Sequence, residues 1–175
     1  MIKRTPVGVW IGLTAGLGLI GLSAGETHKP LLVWNGSASA PLGLYRHMFG
    51  PVKRGDWVLS KLPTEANTLV ISRHYLPVNV PVIKRIGALA GDVVCRVGQI
   101  VFVNGLAVAV ALDHDKSGRQ LPRWQGCLML KSGEVLLLLP HSKSFDGRYF
   151  GITNQALIIE KLTPVWTYEG CENDR

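Results

Sequence analysis

Between Val7 and Gly25 the chain carries no charged side chain (VGVWIGLTAGLGLIGLSAG). Wound as an α-helix, that run extends roughly 28 Å, close to the ~30 Å of a bilayer's hydrocarbon core. Lys3 and Arg4 precede it, and a positive flank of this kind keeps the N-terminus in the cytoplasm. The expectation is an N-terminal transmembrane helix over residues 1–25 and an extracytoplasmic domain over 26–175. A cleaved signal segment competes with this reading, because Ser23-Ala24-Gly25 places small residues at a cleavage position. Gly8, Gly12 and Gly16 would give the helix one smooth face. Glycine is common in membrane helices, so the spacing implies no oligomer.

The remaining 150 or so residues suffice for one folded domain. Twenty glycines and ten prolines without a period, in a chain 47% apolar and 18% charged, exclude disorder and collagen and favour short strands joined by turns. Leu31–Trp34 reads as a strand entering a turn at Asn35-Gly36, and 56–62, 80–86, 92–97, 134–139 and 157–161 read as further strands. Asn104-Gly105 between IVFV and LAVAVA is a hairpin signal. One short helix is expected from Thr64 to about Tyr75, stopped by Pro77. The fold class is therefore mainly β. Lys and Arg exceed Asp and Glu by 19 to 12. The basic residues are scattered in pairs, however, with no stripe interleaved with stacking aromatics, so nucleic acid is not an expected partner.

Exported chains can oxidise cysteines, and of Cys95, Cys127 and Cys171 the first two bracket the Asn104-Gly105 hairpin. They are the expected disulfide. No Cys-x-x-Cys or Cys/His spacing marks a zinc site. The loop Asp113–Gly118 begins like a calcium loop, but Trp124 occupies the position that must supply a bidentate carboxylate. Neither metal nor cofactor is expected.

Three segments concentrate reactive side chains: Ser37-Ala-Ser39-Ala-Pro41-Leu-Gly43-Leu-Tyr45, then Lys84-Arg85-Ile-Gly87 with Gly91-Asp92, then Ser144-Phe-Asp146-Gly-Arg148-Tyr-Phe-Gly151. A serine hydroxyl needs a base to become a nucleophile. A lysine amine serves when burial disfavours its ammonium form, and Val80-Pro-Val-Ile83 offers Lys84 an apolar setting. The turn at Pro41 would hold Ser39 at a strand edge, where its own N–H can bind an oxyanion. No Gly-x-Ser-x-Gly elbow is present.

Together these segments resemble the signal peptidase I superfamily of Ser–Lys serine peptidases, and most closely its TraF-like conjugative-transfer branch. The likeness covers the apolar segment and the body from Leu31 to Leu162. Ser39, Pro41, Gly43, Leu44 and Tyr45 match the nucleophile block, and Ser-Ala-Pro rather than Ser-Met-x-Pro favours the conjugative branch. Arg54-Gly55-Asp56 matches the structural Gly-Asp strand, and Lys84 falls in the general-base block, where Ala90 replaces a frequent proline. The resemblance implies an antiparallel β body with Ser39 as nucleophile and Lys84 as base. It also implies Ser37 as an oxyanion donor, Ser144 orienting the lysine, and Asp146 with Arg148 as a supporting ion pair. It further implies a bacterial inner-membrane enzyme with a periplasmic catalytic domain. The substrate would be a preprotein, such as a propilin of a conjugation apparatus, among mating-pair-formation proteins. Some members resolve the acyl-enzyme by cyclisation. The rival readings are a non-catalytic structural subunit of a pilus or secretion assembly, and a self-cleaving repressor, against which the membrane segment argues.

Overall fold

The computed structural model describes residues 31–168 except Ala38 and Asn79. The expected anchor over 1–25, its glycine face, Cys171 and the polar end of the chain lie outside the described residues. Among the described residues no helix is long and apolar enough to cross a membrane.

Among the described residues eleven antiparallel strands form two sheets. The larger contains β1 (Leu32–Asn35), β2 (Leu42–Met48), β3 (Trp57–Ser60), β4 (Val82–Ala88), β9 (Glu134–Leu138), β10 (Ile152–Asn154) and β11 (Ile158–Tyr168), in the order β1-β2-β11-β3-β4-β9-β10. The smaller contains β5 (Val93–Val97), β6 (Ile100–Val103), β7 (Leu106–Val110) and β8 (Gly126–Met129), ordered β7-β6-β5-β8. In sequence the small sheet is an insertion between β4 and β9. Ala88, Leu136 and Leu138 of the large sheet pack with Val94, Val101 and Val103 of the small one, so one apolar core joins the two.

Asn104 and Gly105 both have positive φ, 50° and 80°, the geometry of a two-residue hairpin turn. Cys95 and Cys127 stand directly opposite on β5 and β8 and are joined by a disulfide, as the sequence led one to expect. The helix α1 (Thr64–Ser72) carries Glu65 in its first turn, where a carboxylate complements the helix dipole. It ends three residues before the expected Tyr75. Tyr75 N–H donates to Val70 O and His74 N–H to Ile71 O, with His74 at φ 57°. This is a Schellman closure, sealed by Tyr75 packing beside Val70. A second, one-turn helix, α2 (Gly147–Phe150), was not expected. The Asp113–Gly118 loop is closed by Asp115, which accepts from the Ser117 and Arg119 N–H groups and from Arg119 Nε.

Candidate active site

Ser39 lies in the loop joining β1 to β2. Its hydroxyl is 2.9 Å from that of Ser37, and its N–H points at Ser37 Oγ over 3.5 Å. Ser37 is exposed and Ser39 half-buried. Behind them the chain is tied down by two residues that sequence reasoning missed as site residues. Asn35, at the end of β1, is buried and bonds to both arms of the loop: Nδ2 lies 3.0 Å from the carbonyls of Ser37, Ala40 and Pro41, and Oδ1 accepts from Ser37 N–H at 3.0 Å. Tyr45, wholly buried on β2, donates its hydroxyl to Pro41 O at 2.8 Å. Gly43 has a steric reason for its place. At φ 138° a Cβ there would lie 2.2 Å from Trp166 O on β11, so any side chain would push the two strands apart.

Lys84 sits mid-strand in β4 opposite Val58 of β3, and only 3% of it is exposed. Val82, two residues earlier on the same strand face, packs among Leu62, Ala66 and Val70 with Phe145 and Phe150. Lys84 Nζ donates to Ser144 Oγ at 2.9 Å, and that hydroxyl is itself buried. Burial lowers the amine from its ordinary 10.5 to about 8; the Asp146 charge works against this shift and Arg148 reinforces it. Arg85, the next residue on the strand, is half-buried. Its guanidinium lies 5.1 Å over the Trp57 ring and its Nε donates to Gly55 O. A planar cation stacks there where an ammonium could not do so as well. Ala90 is exposed in a turn closed by Asp92 N–H to Leu89 O and by Asp92 Oδ2 accepting from Leu89 N–H, so the turn forms without proline.

Asp146 and Arg148 form a buried two-point pair, Nε to Oδ1 at 2.8 Å and a terminal guanidinium nitrogen to Oδ2 at 3.1 Å. Asp146 also accepts from Leu139 N–H, while Arg148 donates to the carbonyls of Leu139, Ser142 and Val110. The pair therefore staples the loop that carries Ser144 to the end of β9. Gly147 lies so close beneath it that a Cβ would meet Leu137 O at 2.7 Å. The small sheet braces the same turn: Arg96, 1% exposed, donates to Arg148 O at 2.6 Å, and Trp124 Nε1 donates to Gly147 O at 3.0 Å. Arg96 gave no signal in sequence, since one charge in an alternating strand (VVCRV) reads as its solvent face.

The structure thus gathers the expected residues into two groups, Ser37 with Ser39, and Lys84 with Ser144, Asp146 and Arg148. Between Ser39 and Lys84 there is no direct hydrogen bond. Their chain neighbours Ala40 and Ile83 nevertheless pack in one apolar cluster with Tyr45, Leu59, Leu139 and Leu162. Among the described residues no three His, Cys, Asp or Glu side chains converge as a metal site.

The family described as signal peptidase, peptidase S26, matches residues 23–167. A plasmid transfer protein TraF of Escherichia coli is 34% identical over 180 residues, covering 96% of this chain and 98% of that protein. A second TraF from the same species is 35% identical over 158 residues, 84% and 89% of the two chains. A probable conjugal transfer protein TraF of Sinorhizobium fredii is 36% identical over 146 residues, covering 77% of this chain and 76% of that one. A crystal structure of a signal peptidase I from Enterococcus faecalis aligns over 66% of this chain and all of that one, with 19% identity and a TM-score of 0.40. With its family match spanning residues 23–167 and a relative 34% identical over 96% of its length, the chain belongs to the signal peptidase S26 family of serine peptidases.

Proposed function

We propose that the protein is a membrane-anchored serine endopeptidase that cleaves a preprotein through a Ser39 acyl-enzyme, with Lys84 as general base. The observation that carries this reading is the Lys84 amine: buried, hydrogen bonded to a neutral hydroxyl, and held at about 8. A lysine that serves only packing has no need of such a site, whereas a base must be able to lose its proton near working pH. In the proposed reaction neutral Lys84 takes the Ser39 proton as Oγ attacks the scissile carbonyl. The Ser39 N–H and the Ser37 hydroxyl donate to the oxyanion, and the protonated Lys84 returns its proton to the leaving amine. Water, or an amine of the substrate where cyclisation is the outcome, then releases the acyl group.

The TraF relatives bear names that refer to plasmid and conjugal transfer, which supports a propilin of a conjugation apparatus as the substrate. The uncharged run at 7–25 supports anchoring in the inner membrane with the catalytic body in the periplasm. Co-expression with a candidate small pilin precursor tests the reading. Wild type should convert the precursor, and Ser39→Ala should leave it unprocessed while accumulating normally in the membrane fraction. Processing by Ser39→Ala at the wild-type rate would end the Ser–Lys mechanism.

A further inference from the structure

We infer that Asn35 is a positioning residue for the nucleophile, an inference that rests on the peptidase reading above. Its carboxamide has two donor hydrogens and one acceptor oxygen. All are used within six residues of chain, and they bracket Ser39: the carbonyls of Ser37 on one side, Ala40 and Pro41 on the other, and the Ser37 N–H. Three carbonyls sharing two hydrogens require one three-centre bond. Tyr45 closes the same loop from below through Pro41 O.

Among the described residues, little else holds Ser39. Its hydroxyl touches Ser37 Oγ, its N–H makes a long approach to the same atom, and Ala40 N–H reaches Ser37 O at 3.4 Å. The direction in which Ser39 Oγ and its N–H face is therefore set by Asn35. A buried amide at a strand end costs free energy unless every polar atom finds a partner, and here the partners lie on the loop that carries both serines. Since nucleophile misplacement by about 1 Å costs ~10²-fold in rate, loss of Asn35 should be read in the chemical step rather than in substrate affinity.

The discriminating substitution is Asn35→Asp. It is isosteric and keeps the acceptor for Ser37 N–H. When ionised it donates nothing and sets a carboxylate against three carbonyl oxygens; when protonated it regains one donor. Its activity relative to wild type should therefore rise as pH falls, a signature that a purely structural role would not produce. The measurement uses the full chain in detergent, a fluorogenic peptide with an Ala-x-Ala cleavage site, kcat and KM across pH, and thermal unfolding of each variant. Asn35→Ala and ionised Asn35→Asp should lose on the order of 10²-fold in kcat, with KM within about threefold, while remaining folded at the assay temperature.

Wild-type kcat in both variants, a rise in KM alone, or an Asp-to-wild-type activity ratio that is flat with pH would overturn the role. If Asn35→Ala does not fold, the pH course of that ratio decides by itself. Ser39→Ala is run alongside. A wild type inert on the peptide, or an active Ser39→Ala, counts against the peptidase reading. Fully active Asn35 variants beside an inert Ser39→Ala count against Asn35 alone.

Discussion

In the proposed reaction Lys84 concentrates the chemistry into one proton. With the amine held at about 8 by burial, roughly a tenth is neutral at pH 7 and most of it by pH 9. The acylation rate, followed as kcat/KM, should climb about tenfold per pH unit below 8 and level off above it. No step should appear near ~6.5, where a histidine base would show one. Lys84→Arg should fail as completely as Lys84→Ala, because a guanidinium keeps its proton; turnover by the arginine variant would remove Lys84 from the base role. The same burial has a stability consequence of definite sign. The folded-state value lies below the ordinary 10.5, so between about 8 and 10.5 the unfolded chain binds more protons and stability rises with pH. Below 8 the full cost of burying the ammonium is present, capped near ~3 kcal/mol by that interval. Lys84→Met should therefore be inactive yet more stable than wild type at pH 7, by less than the cap because Ser144 loses its partner. Above pH 10.5 the gain should vanish and turn into a small loss, because the ammonium penalty is gone and only the orphaned Ser144 hydroxyl remains. Urea unfolding at pH 7 and 10.5 checks this, and an equal or larger gain at the higher pH would contradict it.

At the scale of elements, the loop from β9 through α2 surrounds the Lys84 amine, and its two charges act on Lys84 in opposite senses. Asp146 raises the amine's pKa and Arg148 lowers it. Asp146→Asn should shift the pH–rate midpoint downward and Arg148→Met upward, with both variants losing stability. Truncating one partner of a buried pair costs about 3–5 kcal/mol. Midpoints moving in the same direction would mean that the loop collapses rather than merely changing charge. This loop was legible in sequence because Ser144, Asp146 and Arg148 stand within five positions in a recognisable block. Other parts were hidden for physical reasons. β2 runs through the nucleophile motif, where Pro41 and Gly43 read as turn punctuation; Gly43 is there because β11 crowds it. β8 is exposed at all four positions, so no alternation of polarity marks it. β11 was seen only as its first few residues, because Pro164 reads as a terminator. The strand instead continues to Tyr168 past an irregularity between Pro164 and Trp166. Asn35-Gly36 likewise read as a turn, which concealed the side-chain contacts of Asn35.

Across the whole molecule, the small sheet links the disulfide to the site through one strand. On β5, Cys95 bonds across to Cys127 from one face, while Arg96 turns to the other and supports the Arg148 carbonyl. The two cysteines are 32 residues apart, and in the chain-entropy account closing such a loop stabilises the folded state by roughly 3–4 kcal/mol. The cysteines themselves do not contact Ser39 or Lys84, and the core shared by the two sheets is made of aliphatic side chains from both. Breaking the bond should therefore weaken the fold before it weakens catalysis. Cys95→Ser with Cys127→Ser should lower the urea midpoint while leaving kcat near wild type at temperatures where the protein stays folded. Arg96→Met should do the reverse in proportion, losing more activity per unit of stability because it frees the turn that positions Ser144. Peptide mapping of unreduced protein should yield Cys95 linked to Cys127. A Cys95–Cys171 peptide, or unfolding curves unchanged by reductant, would overturn the role given to this bond.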